Sequence, residues 1–219
     1  MTADCEKCHQ LFDGTSRDKE LALRLCTDAP EGECEVCSVS DSSPGAVADT
    51  EDLYRVMVDP RDFDDGQVAQ RPFRAAFTNG LSVIRSVASD QEVTDLVEDG
   101  MWHRESDPPR EIRVICSASA KQLRDYLGDA SRVFYVYDQT VPRRVSDTPP
   151  VPSHAGVFAR VPPKGQAGRT AYIQDMAGEL RRLFLQNRTG PAEFRAGLLG
   201  PLNEMAYGGM FAHENEPAD

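Results

Sequence analysis

Long apolar runs are missing from this chain: nowhere do about 18 uncharged apolar residues follow one another, which excludes a membrane-spanning helix and leads us to expect a soluble, cytoplasmic protein. Positive charge is also short. Lys and Arg number 24 against 36 Asp and Glu, a net charge of -12, and an acidic chain of this kind repels phosphate, which argues against a general nucleic-acid surface. Lysine contributes only 4 of those cations and arginine 20. That bias reads as coding preference, although arginine is also the better residue for gripping an anion with two hydrogen bonds. Tryptophan occurs once, at Trp102. Large apolar residues are scarce before Val47, where only Leu11, Phe12, Leu21, Leu23, Leu25, Val36 and Val39 stand. So short and polar a stretch cannot offset its ordering entropy by burial alone.

What the N-terminus does have is cysteine. Cys5/Cys8 and Cys34/Cys37 form two Cys-x-x-Cys pairs, and outside them the chain carries only Cys26 and Cys116. Four thiolates on two tight knuckles are a tetrahedral zinc set, and structural zinc supplies on the order of 10 kcal/mol or more to a small peptide fold. The spacing therefore predicts a zinc-binding module over residues 1–40, with a helix between Ser16 and Cys26 presenting Leu21 and Leu25 to the knuckles. An iron–sulfur cluster would use the same thiolates, and Cys26 or His9 is able to replace one ligand. Cys5-Glu6-Lys7-Cys8-His9 also matches the c-type haem attachment pattern, but no apolar leader precedes it.

Residues 41–52, rich in Ser, Asp, Gly and Pro, read as a linker. From Leu53 to about residue 205 the pattern is that of an α+β domain, with a mixed or antiparallel sheet and flanking helices, and residues 206–219 read as a loose tail. Strands are expected at Leu53–Val58, Leu81–Arg85, Glu111–Cys116, Arg132–Tyr137 and His154–Val161. The strand at Arg132–Tyr137 alternates as if one face met the core. Phe63, Phe73 and Phe77 pin the long loop between the first two strands. Helices are expected from Ser89 to Gly100, from Ser117 or Ser119 to Leu127, and from Thr170 to Arg188, where Tyr172, Met176, Leu180, Leu183 and Phe184 recur at three and four residues. A shorter amphipathic piece follows to about Leu199. Proline excludes regular structure between Val141 and Ser153.

Polar residues on apolar strands mark the candidate site. Arg55 and Arg85 lie on the first two strands and His154 at a loop-to-strand junction, with Ser82, Asp59 and Tyr137 in or beside the same strands; a buried arginine needs a carboxylate or an anionic ligand. Arg55, Arg85 and His154 together would make a pocket for a small anion, with His154 as proton donor. Against this stands the ordinary reading, arginines on the solvent face of their strands. Cys116, between a strand and a helix start, is a second candidate, a nucleophile with His154 or His103 as base.

Two resemblances rest on these same residues. Ala76-Phe77, Leu81-Ser82-Val83-Ile84-Arg85 and Pro152-Ser153-His154-Ala155 resemble a pattern of small uncharacterised bacterial proteins over residues 53–160, which implies an autonomous domain and no particular activity. Leu53-Tyr54-Arg55, a glycine-bearing loop and Leu81-Ser82-Val83 resemble the opening of ADP-ribosyl transferase domains. That resemblance implies that Arg55 and Ser82 would hold NAD, but the acidic residue such enzymes carry on a later strand has no clear counterpart. The expectation is a zinc-binding accessory or adaptor protein that contacts another protein, with Trp102 on the docking face. The alternative is an enzyme acting on a small anionic or nucleotide substrate, by ADP-ribosyl transfer or by cysteine or histidine chemistry.

Overall fold

A computed structural model describes residues 3–12, 18–38, 43–89, 91–93, 111–139 and 152–194. Helix α1 (Ala3–Phe12), helix α2 (Leu21–Asp28) and a 3-10 segment (Pro30–Val36) make up the N-terminal part. Strand β1 (Asp52–Asp59), a small β2–β3 hairpin (Phe63–Asp64 and Gln67–Val68), a second 3-10 segment (Arg71–Phe77) and β4 (Leu81–Arg85) follow. Strand β5 (Glu111–Ser119) leads directly into α3 (Ala120–Arg124), because the Ser119 hydroxyl accepts from the Gln122 N–H and caps the helix. Strands β6 (Leu127–Gly128), β7 (Ser131–Arg132), β8 (Phe134–Asp138) and β9 (His154–Ala159) precede the long helix α4 (Arg169–Leu185) and the edge strand β10 (Asn187–Thr189).

Six strands form one sheet in the order β10-β5-β1-β4-β9-β8, and every pairing in it is antiparallel. The class is α+β, as the strand and helix periodicities predict. Strand register divides the side chains between two faces. Leu53, Met57, Leu81, Val83, Cys116, Val136 and Val157 share one, against Ala177, Leu180, Leu183 and Phe184 of α4 and Phe73 and Ala76 of the second 3-10 segment. On the other, Tyr54, Val56, Ile112 and Ile115 meet Val93 and Phe194 in a smaller cluster.

The N-terminal part covers the β8–β9 end of that second face. The Phe12 ring lies 5.5 Å from Tyr137 and 6.0 Å from Phe158, and the N–H of Ala22 donates to the Thr78 carbonyl at 2.7 Å. Glu35, buried, accepts from Arg124, Arg132 and the Val136 N–H. This cover explains a departure from the sequence reading: β8 was expected to alternate with one face on the core, yet all five of its residues are buried.

The four knuckle cysteines come together, but in two disulfides, Cys5–Cys37 and Cys8–Cys34, with Cα separations of 5.6 and 5.5 Å. Residues three apart on α1 present both sulfurs on one side, where each meets a partner from the 3-10 segment or just beyond it. Among the described residues no group of three or more His, Cys, Asp or Glu is arranged to hold a metal. Cys26 faces Ala159 and Val161 on the opposite flank of α2, not the four cysteines. No helix among the described residues is long and apolar enough to cross a membrane. The expected helix beyond Val93, Trp102, His103, most of the proline-rich stretch, the end of the 191–199 piece and the tail 206–219 lie outside the described residues.

Candidate active site

Ser82 on β4 and His154 on β9 project from the same face of the sheet, since Ser82 pairs with Gly156 and Ile84 with His154. The Ser82 Oγ lies 2.5 Å from Nε2 of His154. The other ring nitrogen, Nδ1, faces the main-chain carbonyl of Gln139, which can only accept. Nδ1 therefore carries the proton, Nε2 offers its lone pair, and the Ser82 hydroxyl donates to it. A hydroxyl, an imidazole and a fixed acceptor behind the imidazole are the arrangement of an activated serine nucleophile. Ser82 is exposed and His154 buried, so the dyad opens outward through its hydroxyl.

Arg55 approaches from β1. The β1–β4 pairing holds at Leu53–Arg85 and Tyr54–Ile84, and from the next position Arg55 turns its Nη1 onto the Ser82 carbonyl at 2.8 Å. Its Nε is buried without a hydrogen-bond partner among the described residues. Burial and then the Arg55 charge lower the His154 pKa to about 4, against the pull of the Gln139 hydrogen bond, so the imidazole is neutral at pH 7.

Of the three residues expected to form an anion pocket, His154 bonds the Ser82 hydroxyl and Arg55 only the Ser82 main-chain carbonyl, and Arg85 does not join them. Arg85 projects from the opposite face of the sheet, pairing with Leu53 in register, and is fully occupied. Its Nε and Nη2 donate to Glu51 at 2.8 Å each, and Nη1 donates to Asp138 at 3.1 Å and to the Gly45 carbonyl at 2.6 Å. Burial pushes the Glu51 carboxyl up, but the hydrogen bonds from Arg85 and the Ala48 N–H outweigh it and hold the group below its ordinary range. Asp59, another polar neighbour, is drawn off by Arg113 at 2.8 Å.

Cys116 is shut in the core at 0% exposure, and burial drives its pKa up to about 11 despite the nearby Arg55. A thiol so protonated and enclosed is inert at neutral pH. The sequence marks Ser82 as a polar residue in an apolar strand, but nothing in it points to Gln139, which acts through its main chain. No family model matches the chain, and neither a curated protein nor a solved structure does.

Proposed function

We propose that this protein is an enzyme acting on a small anionic ester through a serine nucleophile. The observation that carries the reading is the hydrogen bond from the Ser82 hydroxyl to a His154 imidazole held in one tautomer by Gln139. Attack by Ser82 Oγ on the ester carbonyl forms a new C–O bond while the hydroxyl proton passes to Nε2 of His154. The imidazolium then returns that proton to the departing alkoxide as the ester C–O bond breaks. Water, deprotonated by the same nitrogen, releases the acyl group and restores Ser82. Arg55, whose Nη1 holds the Ser82 carbonyl, places a cation beside the dyad, which favours an anionic substrate.

The test is labelling with a fluorophosphonate probe. The wild-type chain takes one label at Ser82, and Ser82→Ala and His154→Ala lose it; a folded wild-type protein that takes no label overturns the reading. Incubation with NAD separates ester chemistry from ADP-ribosyl transfer, since only the latter releases nicotinamide.

The convergence of Cys5, Cys8, Cys34 and Cys37 favours a second reading for the N-terminal part. In a reducing bacterial cytoplasm the same four sulfurs are free thiolates, and the module takes one zinc and serves as a docking surface for a protein partner. Metal analysis of the reduced chain tests this. One zinc equivalent is expected, lost in the Cys5→Ser/Cys34→Ser variant, and no metal in the reduced wild-type chain overturns it.

A further inference from the structure

The dyad supplies a nucleophile and a base, but acyl transfer also needs a donor for the oxygen on which charge collects, and losing one such donor slows an enzyme about 10²–10³-fold. His154 is committed, with Nδ1 on the Gln139 carbonyl and Nε2 on the Ser82 hydroxyl. Arg55 sits on the face of Leu53 and touches only the main chain of Ser82. A side-chain donor has to come from the face that Ser82 and His154 share.

Gln139 is on that face. It follows β8, where Tyr137 pairs with Gly156 and Asp138 with Ala155, and its N–H donates to the His154 carbonyl at 3.3 Å, so its side chain leaves the sheet beside the His154 ring. From there it leans over Gly156, since a Cβ on that glycine would run into Oε1 of Gln139. Phe158 Cε2 closes the far side, 2.6 Å from the same Cβ position. Gly156 is in turn the residue directly across from Ser82. Opposed residues carry their Cβ atoms about 4.5–5.5 Å apart, so the amide stands roughly one side chain's width from Ser82, a span that a substrate carbonyl fills. The missing side chain at Gly156 is what leaves the amide this place.

Gln139 is 7% exposed, yet its side-chain amide makes no hydrogen bond among the described residues. A buried amide without a partner is unfavourable, and a ligand oxygen would satisfy it. The last side-chain bond of glutamine is close to two-fold, so either end of the amide can face Ser82, and the NH2 end donates. We propose that the Gln139 side-chain amide is the oxyanion donor of the Ser82 site, a role that rests on the serine reading above. As Ser82 Oγ bonds to the ester carbon, the carbonyl π electrons move onto its oxygen and the serine proton moves to Nε2 of His154. The Gln139 N–H donates to that oxygen and keeps its proton. When the C=O re-forms, the alkoxide leaves with the proton from His154. Gln139 then acts twice, its main chain fixing the His154 tautomer and its side chain receiving the charge.

The two tasks use different atoms, so substitution separates them. Gln139→Met keeps the main-chain carbonyl and the side-chain length but has no N–H, and Gln139→Glu keeps the shape and sets a carboxylate against the developing charge. The rate of Ser82 labelling by the fluorophosphonate probe, whose phosphoryl oxygen takes the place of the carbonyl oxygen, is measured in both and in the wild type, together with the nitrogen-15 shifts of the His154 ring and the urea midpoint. Labelling is expected to slow about a hundredfold in Gln139→Met and further in Gln139→Glu, with His154 still protonated at Nδ1. A wild-type rate in either folded variant overturns the donor role and leaves the dyad standing. Slow labelling with a changed His154 tautomer shows a structural role and overturns it as well. A wild-type protein that takes no label removes the dyad and this donor with it.

Discussion

Nη1 of Arg85 and the Asp138 carboxylate lie 3.1 Å apart with side-chain exposures of 2% and 0%, and the same guanidinium holds Glu51. Each of these charges is tolerated in the core only because the others are there. Arg85→Met leaves two carboxylates buried without their cation and is expected to lower stability by roughly 3–5 kcal/mol. The urea midpoint of the variant measures this, and a change under about 1 kcal/mol contradicts it.

His154 predicts a particular pH profile. Its pKa is 6.5 in the unfolded chain and about 4 in the folded one, so the unfolded state gains a proton first as pH falls. The stabilising difference is fully present above pH 6.5, shrinks from there downward and is lost by about pH 4, amounting to about 3 kcal/mol. Glu51, Asp62 and Glu92, all held below their ordinary range, add a loss only at the acid end of that window. The slope of unfolding free energy between pH 6.5 and 5 is therefore expected to flatten in His154→Gln, read by urea titrations at several pH values.

Reduction bears on the whole fold rather than on an appendage. Leu21, Leu25, Cys8 and Cys34 belong to the same buried cluster as Leu53 and Val157. Loss of a native disulfide costs about 2–5 kcal/mol, and Cys8→Ser/Cys34→Ser is expected to lower the melting temperature of the sheet itself. Thermal unfolding followed in the near ultraviolet at the tyrosines reads it; an unchanged main transition would show that the sheet stands without its cover.

Gly80 is constrained for two reasons that act together. Its φ of 93° is left-handed, and a Cβ there would come within 2.5 Å of Phe158 Cζ. Gly80→Ala is expected to cost on the order of 1–3 kcal/mol and to disturb β4 just before Ser82. Denaturant unfolding and loss of probe labelling check both effects.

The regular elements were legible because their periodicity is local. Leu81–Arg85 coincides with β4, and the expected Thr170–Arg188 helix overlaps α4 over most of its length. The burial of Tyr135 and Tyr137 was not legible, since it depends on Phe12 and α2 folding back from more than 100 residues away. Arg55, Arg85 and His154 stand out in the sequence as polar residues on or beside apolar strands, but composition cannot say which face of the sheet each one takes. Only register does: it sets Arg55 and Arg85 on the face of Leu53, and Ser82 and His154 on the other, so Arg85 turns to Glu51 and Asp138 while Arg55 reaches the Ser82 main-chain carbonyl. The paired cysteines told of proximity and not of oxidation state, because spacing suits both thiolate ligands and disulfides.

Strands β4 and β9 are both interior to the sheet, each flanked by a strand on either side. Ser82 and His154 therefore ride on main chain whose amides exchange with solvent only when large parts of the sheet open. Insertions in the outlying loops can alter what reaches the dyad while its two partners keep their spacing. The lifetime of that arrangement is expected to follow the opening of β4 and β9, which hydrogen exchange at their amides reads.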